Sequence, residues 1–308
     1  MGRSSYGSPS AKPFIIGGLL CFVVLVALVG GCNYASSFDA PRPGYAAVCQ
    51  TGGLIEGASG TCGVFQRGSG KRNIGYDNKL VEFPATQRTF LFADNTKGAD
   101  AESIEVPLAD GNVVRVKAQI QFVLNTDSKT MVEFYKGFGT RTFDGPTAAD
   151  DADGWWNSFL GNQVKPTAEG AFRESLAPYR CADVNPSCDL DKLNEQLQAK
   201  GKTVAAIDPD KEKEKGKAAA ANLSTIALAV EEKLGGDPRG ATDTAKQGDL
   251  AVALKGRFLT GIRVKVFKAN PPEEVSSEIQ KANAAKARLV TALADSQATV
   301  QTEKGKAD

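Results

Sequence analysis

Hydrophobic positions along this chain follow three different patterns, and each pattern predicts a different kind of element. Residues 14–29 form one apolar run that contains no charge. Between residues 104 and 124 apolar and polar residues alternate, which is typical of a strand with one buried face. After residue 270 the chain is rich in alanine, lysine and glutamate with sparse apolar positions, which is typical of a largely solvated helix.

The apolar run predicts a transmembrane anchor over residues 13–31. At 1.5 Å per residue this segment covers about 28 Å, close to the roughly 30 Å hydrocarbon core of a bilayer. Because Arg3 and Lys12 precede the run, we expect the tail 1–12 to be cytoplasmic and the bulk of the chain to be extracytoplasmic. The small residues before Cys32 also resemble a bacterial lipobox, so the alternative is a cleaved export signal and a lipidated Cys32.

The alternating stretch predicts a β-hairpin, with Asp110 and Gly111 as the turn. On the return strand, the positions predicted to face the core are Val114, Val116, Ala118, Ile120, Phe122 and Leu124, and those predicted to face solvent are Arg115, Lys117, Gln119 and Gln121. Further strands are expected from Tyr45, over 89–92, and over 262–266, where Ile262, Val264 and Val266 share one face. The last of these strands is expected to return to the sheet.

Helices are predicted between the hairpin and that returning strand. The predicted segments are 129–136, two pieces within 155–178 broken near Lys165-Pro166, 190–197, 218–234 and 249–258. The charged run 211–217 is expected to be exposed, as a helix face or a linker. The fold class is therefore α+β, with a small antiparallel sheet packed by helices.

The segment after Asn270 predicts an extended C-terminal helix over residues 271–308. Asn270 is a favourable N-cap, prolines occupy the first turn, and two glutamates complement the helix dipole. The thin apolar stripe of this helix consists of Val275, Ile279, Ala282 and Leu289. We expect it to pack against identical neighbours in an oligomer, because so thin a stripe needs a partner; the alternative is a solvated single helix.

Composition and charge argue against most enzyme classes. Histidine is absent, which removes Ser-His-Asp and Cys-His catalysis and the commonest metal ligand. The best catalytic candidates are Asp150, Asp151 and Asp153, but without a partner base they are more simply the exposed acidic start of a helix. The glycine-rich segments lack phosphate-loop spacing, and basic residues are dispersed at a net charge of +1. We therefore expect no catalytic site, no cofactor and no nucleic-acid partner.

Four of the six cysteines form two locally close pairs, Cys49 with Cys62 and Cys181 with Cys188. If the chain is exported, both pairs predict disulfides. The alternative is reduced, buried thiols in a cytoplasmic protein. Because no Cys-x-x-Cys motif occurs, a zinc site is not expected.

Five stretches in register resemble the SPFH or band-7 superfamily, which includes stomatins, prohibitins, flotillins and HflK/HflC-like proteins. They are the N-terminal anchor, residues 42–48 (RPGYAAV), the hairpin over 106–122, residues 172–176 (FRESL), and the closing stretch from 261–264 (GIRV) to 272–275 (PEEV). By this resemblance a linker spans 32–43 and an SPFH/band-7-like domain spans 44–270, with inserted loops at 49–62, 181–188 and 204–248.

The resemblance also implies a function. Such proteins are not enzymes; they form rings or cages on membranes and often bind membrane proteases or other membrane proteins. The expectation for this chain is thus a membrane-anchored homo-oligomeric scaffold that organises a microdomain of the lipid bilayer. The alternative is an extracytoplasmic lipoprotein-like binding module, lipidated at Cys32.

Overall fold

The computed structural model describes residues 37–52, 60–75, 78–188, 209–236 and 247–272, with Val24, Val275, Ser277, Lys281, Ala285, Arg288 and Ala292 as separate positions. These residues form the predicted α+β fold of small antiparallel sheets and helices. Unit 1 comprises the described residues of Met1–Ala85, Thr126–Thr142 and Pro146–Asp153. Unit 2 comprises those of Thr86–Asn125, Phe143–Gly145 and Gly154–Asp308.

Unit 1 begins with five short strands. They are β1 (Phe38–Asp39), β2 (Tyr45–Gln50), β3 (Thr61–Phe65), β4 (Arg72–Asn73) and β5 (Lys79–Pro84). Strand β2 pairs antiparallel with β3 and β5 on its two edges, and β1 pairs with β4. Because β2 is central, its four middle residues, 46–49, are fully buried. The strand predicted from Tyr45 is confirmed.

A helix of unit 1 packs against this sheet. Helix α1 (Ser128–Phe134) begins after Asp127, whose carboxylate accepts the backbone amides of Lys129 and Thr130 as an N-cap. It continues into a π-helical turn, Tyr135–Gly139. Phe134 contacts Phe83 of β5 edge to face, with ring centroids 5.3 Å apart. The helix predicted over 129–136 is confirmed, with a π-helical end that periodicity does not reveal.

The sheet of unit 2 is built around one long strand. Its strands are β6 (Arg88–Phe92), β7 (Ile104–Pro107), β8 (Val113–Leu124) and β9 (Leu259–Asn270). Strand β8 pairs with β6 and β7 along one edge and with β9 along the other. All six positions of β8 predicted to face the core are at most 2% exposed. The hairpin and the returning strand are both confirmed.

Strand β9 contains a bulge. Lys117 of β8 pairs with Lys268, whereas the next residue, Ala118, pairs with Val266, so Phe267 is an extra residue. The bulge changes the phase of the alternation. Ile262 and Ala269 are both buried although they lie seven positions apart, an interval that places residues of a regular strand on opposite faces. Phe267 is 45% exposed.

The helices of unit 2 follow the predicted order with different boundaries. They are α2 (Ala152–Phe159, with its first two residues in unit 1), a π-helical turn (Leu160–Val164), α3 (Lys165–Leu176), α4 (Cys181–Val184), a 3-10 turn (Pro186–Cys188), α5 (Pro209–Gly235) and α6 (Asp249–Ala253). The two predicted helical pieces are both present and the second begins at Lys165, as expected, but a π-helical turn joins them without an interruption of the helical backbone. Pro166 lies in the first turn of α3, where its missing N–H costs little.

Two tryptophans lie in the core of unit 2. Trp155 and Trp156 are buried, and the ring of Trp155 stacks on Phe159 with centroids 5.5 Å apart. Phe143 closes the cluster through edge-to-face contacts with Trp155 and Phe159. Burial of several large rings in one cluster stabilises unit 2 by area and by ring geometry.

Helix α5 is longer than predicted and belongs to the core. The charged run 211–217 lies in its first turns, and its described side chains are largely exposed, so the run is a helix face and not a linker. Further along, Ile226, Val230 and Leu234 are buried, and the helix packs against β9. The stretch expected as an inserted loop, 204–248, therefore supplies a core helix. Helix α6 ends at Ala253, so the helix predicted over 249–258 is too long.

Some predictions fall on residues outside the described part of the chain. They are the tail 1–12, the helix over 190–197, and the anchor 13–31, within which only Val24 is described, as helical. Among the helices that the structure does describe, none combines the length and apolarity needed to cross a bilayer.

Helix α5 offers a matched test of its core role. Leu234 is 1% exposed and Leu228, on the same helix, is 63% exposed. We expect Leu234→Ala to lower the free energy of unfolding by about 2–5 kcal/mol, because it leaves a cavity. Leu228→Ala should change it by no more than about 0.5 kcal/mol. Urea denaturation of both variants measures the difference, and equal effects would show that α5 does not pack as described.

Candidate functional site

The predicted assembly stripe is described at one position only. Val275 is helical and 43% exposed, whereas Ile279, Ala282 and Leu289 lie outside the described residues. Four described helical positions are exposed and share one face by their spacing: Lys281, Ala285, Arg288 and Ala292. At about 100° per residue that face lies about 110° around the helix from the predicted stripe. The role of the stripe stays a prediction.

The chain is held in place just before this helix begins. Ala269 and Pro271 are buried, and the side-chain amide of Asn185 donates to the carbonyl oxygen of Ala269 at 2.9 Å. Since β9 is an edge strand, this bond satisfies one of its outward-facing backbone groups. Asn185 thus fixes the end of β9 two residues before the prolines.

Both predicted cysteine pairs are disulfide-bonded in the structure. Cys49–Cys62 joins β2 to β3 in unit 1. Cys181–Cys188 closes the loop that carries α4 and Asn185 in unit 2. Closing such short loops lowers the entropy of the unfolded chain, worth about 2–3 kcal/mol each. The position of Cys32 lies outside the described residues.

The Cys181–Cys188 loop is a junction of three elements. The backbone amide of Cys181 donates to Asp110 in the β7–β8 turn at 2.9 Å, and Asn222 of α5 donates to the carbonyl oxygen of Asp183 at 2.8 Å. Burial by itself raises the pKa of Asp110, but hydrogen bonds from Cys181 and Asn112 outweigh it and hold the pKa below its usual value. The loop therefore ties the hairpin turn and α5 to the end of β9.

The three candidate catalytic aspartates lie together in unit 1 at the start of α2. The hydroxyl of Thr147 donates to Asp150 at 2.5 Å, the backbone amide of Asp153 donates to Asp151 at 3.1 Å, and the hydroxyl of Tyr45 donates to Asp153 at 2.5 Å. These bonds order the loop that enters the helix, and acidic groups there complement the helix dipole. Sequence reasoning placed these residues correctly as an acidic helix start.

Arg42 connects this loop to β5 within unit 1. It pairs with Glu82 through backbone and side chain, lies 4.2 Å from the centre of the Tyr45 ring, and approaches Asp153 at 3.8 Å. The hydrogen bond to Glu82 is the main cause that raises the pKa of Arg42. The charge of this guanidinium is therefore already compensated by carboxylates of the same unit.

Beside Arg42 lies an open cavity of about 250 Å³, which we call the acidic cavity. Its lining consists of Arg42, Leu80, Glu82 and residues 148–152. These lining residues include no lysine, cysteine or serine to act as a base or nucleophile. Within the described ranges, no group of three or more acidic or cysteine side chains is arranged to hold a metal ion. The carboxylates of the lining give the cavity the chemistry to accept a cationic group.

Unit 2 displays a second charged surface that sequence reasoning missed. On the side of β8 and β9 away from the core, Lys117 pairs with Lys268, and Gln119 pairs with Lys265. Phe267 projects from the bulge, 5.2 Å from the ammonium of Lys265. We call Lys117, Lys265, Phe267 and Lys268 the basic face. Alternation predicts that Lys117 and Lys265 face solvent, but only the bulged register shows that these lysines lie together.

Comparison with known proteins identifies a family. A model of the SPFH domain / Band 7 family matches residues 42–307. The match covers most of the chain and includes described residues of both units. No curated protein matches the sequence.

The hydrogen bonds that Asp110 accepts should make the free energy of unfolding depend on pH. Asp110→Asn should lower the free energy of unfolding at pH 7 by about 1 kcal/mol, because the neutral amide oxygen accepts the hydrogen bond from Cys181 more weakly than the carboxylate does. The folded-state pKa of Asp110 is depressed, so its contribution is present above the unfolded pKa of about 3.9 and disappears as pH falls through the folded value. Denaturation curves between pH 7 and pH 3 measure this convergence. Glu102→Gln, at an exposed carboxylate, is the control. A difference between Asp110→Asn and the unsubstituted chain that does not change with pH would contradict this expectation.

Proposed function

This chain belongs to the SPFH domain / Band 7 family, and on that premise we propose that it is a membrane-anchored scaffold whose copies assemble into a ring or cage. The observation that carries the proposal is the family match over residues 42–307. Membership suggests a membrane-associated scaffold role without catalysis, and the α+β architecture fits the family. The finer statements that follow are our proposals.

The proposed membrane attachment rests on the apolar segment 13–31. We propose a single-pass topology with residues 1–12 in the cytoplasm and the SPFH domain outside it, because basic residues precede the segment. The two disulfides support this side of the membrane, since disulfides persist in oxidising compartments. An anchor confines the domain to a plane, which raises the effective concentration of neighbouring copies.

The proposed assembly element is the C-terminal helix. Family membership supports oligomers of membrane-associated copies in general. The apolar stripe of Val275, Ile279, Ala282 and Leu289 would pack against the same helix of a neighbour, and small residues permit a close approach. Many weak contacts of this kind add up to a stable closed assembly. A membrane protease or another membrane protein is the proposed occupant of the enclosed area.

Substitutions in the helix test the assembly. In the full chain extracted with mild detergent, Ile279→Glu with Leu289→Glu should reduce the particle to small oligomers, because two charges would be buried between helices. Ala285→Glu with Ala292→Glu adds the same charge at positions that the structure shows as exposed, and should leave the particle intact. Native electrophoresis with negative-stain imaging measures the size.

The unsubstituted chain decides the proposal itself. A large and uniform ring or cage is the expected particle. If the unsubstituted chain is a monomer or a small oligomer, the scaffold proposal is wrong, and the lipoprotein-like alternative gains support if the intact mass shows an acylated Cys32. If both pairs of substitutions leave a full-sized ring, the ring does not depend on the predicted helix stripe.

A further inference from the structure

The basic face of unit 2 carries a charge arrangement that folding does not require. Lys117 and Lys268 are direct cross-strand neighbours, and like charges in that position destabilise a sheet. Lys265 lies next to them along β9, with Phe267 between Lys265 and Lys268. Among the described residues, none of these lysines has an acidic partner within ion-pair distance, although the charge of Lys117 contributes to lowering the pKa of Asp94. By contrast, Arg115 and Arg263 at the margins are paired with Glu105 and Glu231.

Protection of the sheet edge explains only part of this arrangement. Lysines on edge strands discourage unwanted pairing with other chains, and β9 is an edge strand. Lys117, however, lies on β8, whose backbone is paired on both sides. The outward edge of β9 is also occupied, since Glu231 accepts the amide of Val264 at 3.1 Å and Asn185 donates to Ala269. The clustered lysines therefore call for another explanation.

Unit 1 presents the complementary chemistry. Glu82, Asp150 and Asp151 line the acidic cavity and Asp153 lies beside it, against the single guanidinium of Arg42. The lining therefore contributes three carboxylates and one guanidinium, and that guanidinium is held by Glu82. It is concave and open, with room for the end of a lysine side chain. A cavity lined by carboxylates and a face that displays lysines are complementary in charge.

We infer that the acidic cavity of one copy of this chain receives the basic face of a neighbouring copy. The inference rests on the proposed function, because it assumes that copies assemble, and it names the surfaces that meet. Two different patches make the contact heterologous, and a heterologous contact that repeats by rotation generates a closed ring. This pairing would also give Asp150, Asp151 and Asp153 a role in assembly.

Charge reversal tests the inference on the full chain in mild detergent. Lys265→Glu with Lys268→Glu places glutamates opposite the aspartates of the neighbour, and Asp150→Lys with Asp151→Lys places lysines opposite lysines. Each variant alone should require at least about tenfold more protein to assemble, because like charges across an interface cost more than the 1.4 kcal/mol that a factor of ten represents. Lys97→Glu with Lys129→Glu makes the same charge change at exposed positions that belong to neither surface and serves as the control.

Mixing the two defective variants separates the inference from misfolding. In an alternating ring, the glutamate face of one variant meets the lysine-bearing cavity of the other, and the unchanged surfaces meet in the next contact. An equimolar mixture should therefore regain ring-sized particles, which two misfolded proteins would not do. Native electrophoresis of each variant and of the mixture provides the measurement, with thermal unfolding as the check on folding.

The other outcomes overturn the inference in distinguishable ways. If the reversed variants form rings like the unsubstituted chain, the inference is wrong and the scaffold proposal stands. If Lys265→Glu with Lys268→Glu keeps its ring but loses binding to phosphatidylcholine vesicles containing phosphatidylglycerol, the partner of the basic face is an anionic membrane. If both variants and their mixture stay dissociated, these surfaces are not each other's partners. If the unsubstituted chain does not assemble, the scaffold proposal fails as well.

Discussion

The backbone pairing of β8 on both of its edges is the constraint on which the rest of unit 2 depends. Its alternate side chains are completely buried, so a shift of one residue would turn the whole apolar set toward solvent. This fixes the register of β6, β7 and β9 at once. Because β9 leads directly into the C-terminal helix, the alternation within β8 also sets the point from which that helix departs.

The two sides of this sheet have different tasks. On the buried side, α3 and α5 cover the strands: Phe172 of α3 contacts Phe92 edge to face, and α5 packs on β9. Glu231 of α5 then reaches the edge and accepts the amide of Val264. Helices therefore cover the buried side of the sheet and the outer edge of β9, and the charged side chains lie on the opposite side. The bulge at Phe267 determines which lysines lie next to one another there. Core packing thereby positions the basic face, although no core residue belongs to it.

The sequence predicts those features of the fold that depend on local periodicity. The alternation of β8, the Asp110-Gly111 turn and the returning strand follow from patterns of two and from turn chemistry. The bulge at Phe267 and the two π-helical turns cannot be predicted in this way. Each inserts an extra residue into a regular strand or helix, and no particular residue type in the sequence marks the insertion. Helix α5 was predicted too short since its charged first turns also fit a linker. The same limit applies to the two charged surfaces. The aspartates could be found because they are close together in sequence, whereas the lysines of the basic face come from two strands that are distant in sequence.

The charges of this chain are balanced in number, and this balance has a physical consequence. With 37 basic and 36 acidic residues the chain has almost no net charge, so copies do not repel one another as a whole. Contacts between exposed charges are individually weak and screened by salt. A contact of this kind assembles little from dilute solution but becomes sufficient when an anchor keeps copies in one plane and a helix adds a second point of attachment. Weakness of each contact also allows wrongly joined copies to separate, so that a ring can close with all of its contacts made.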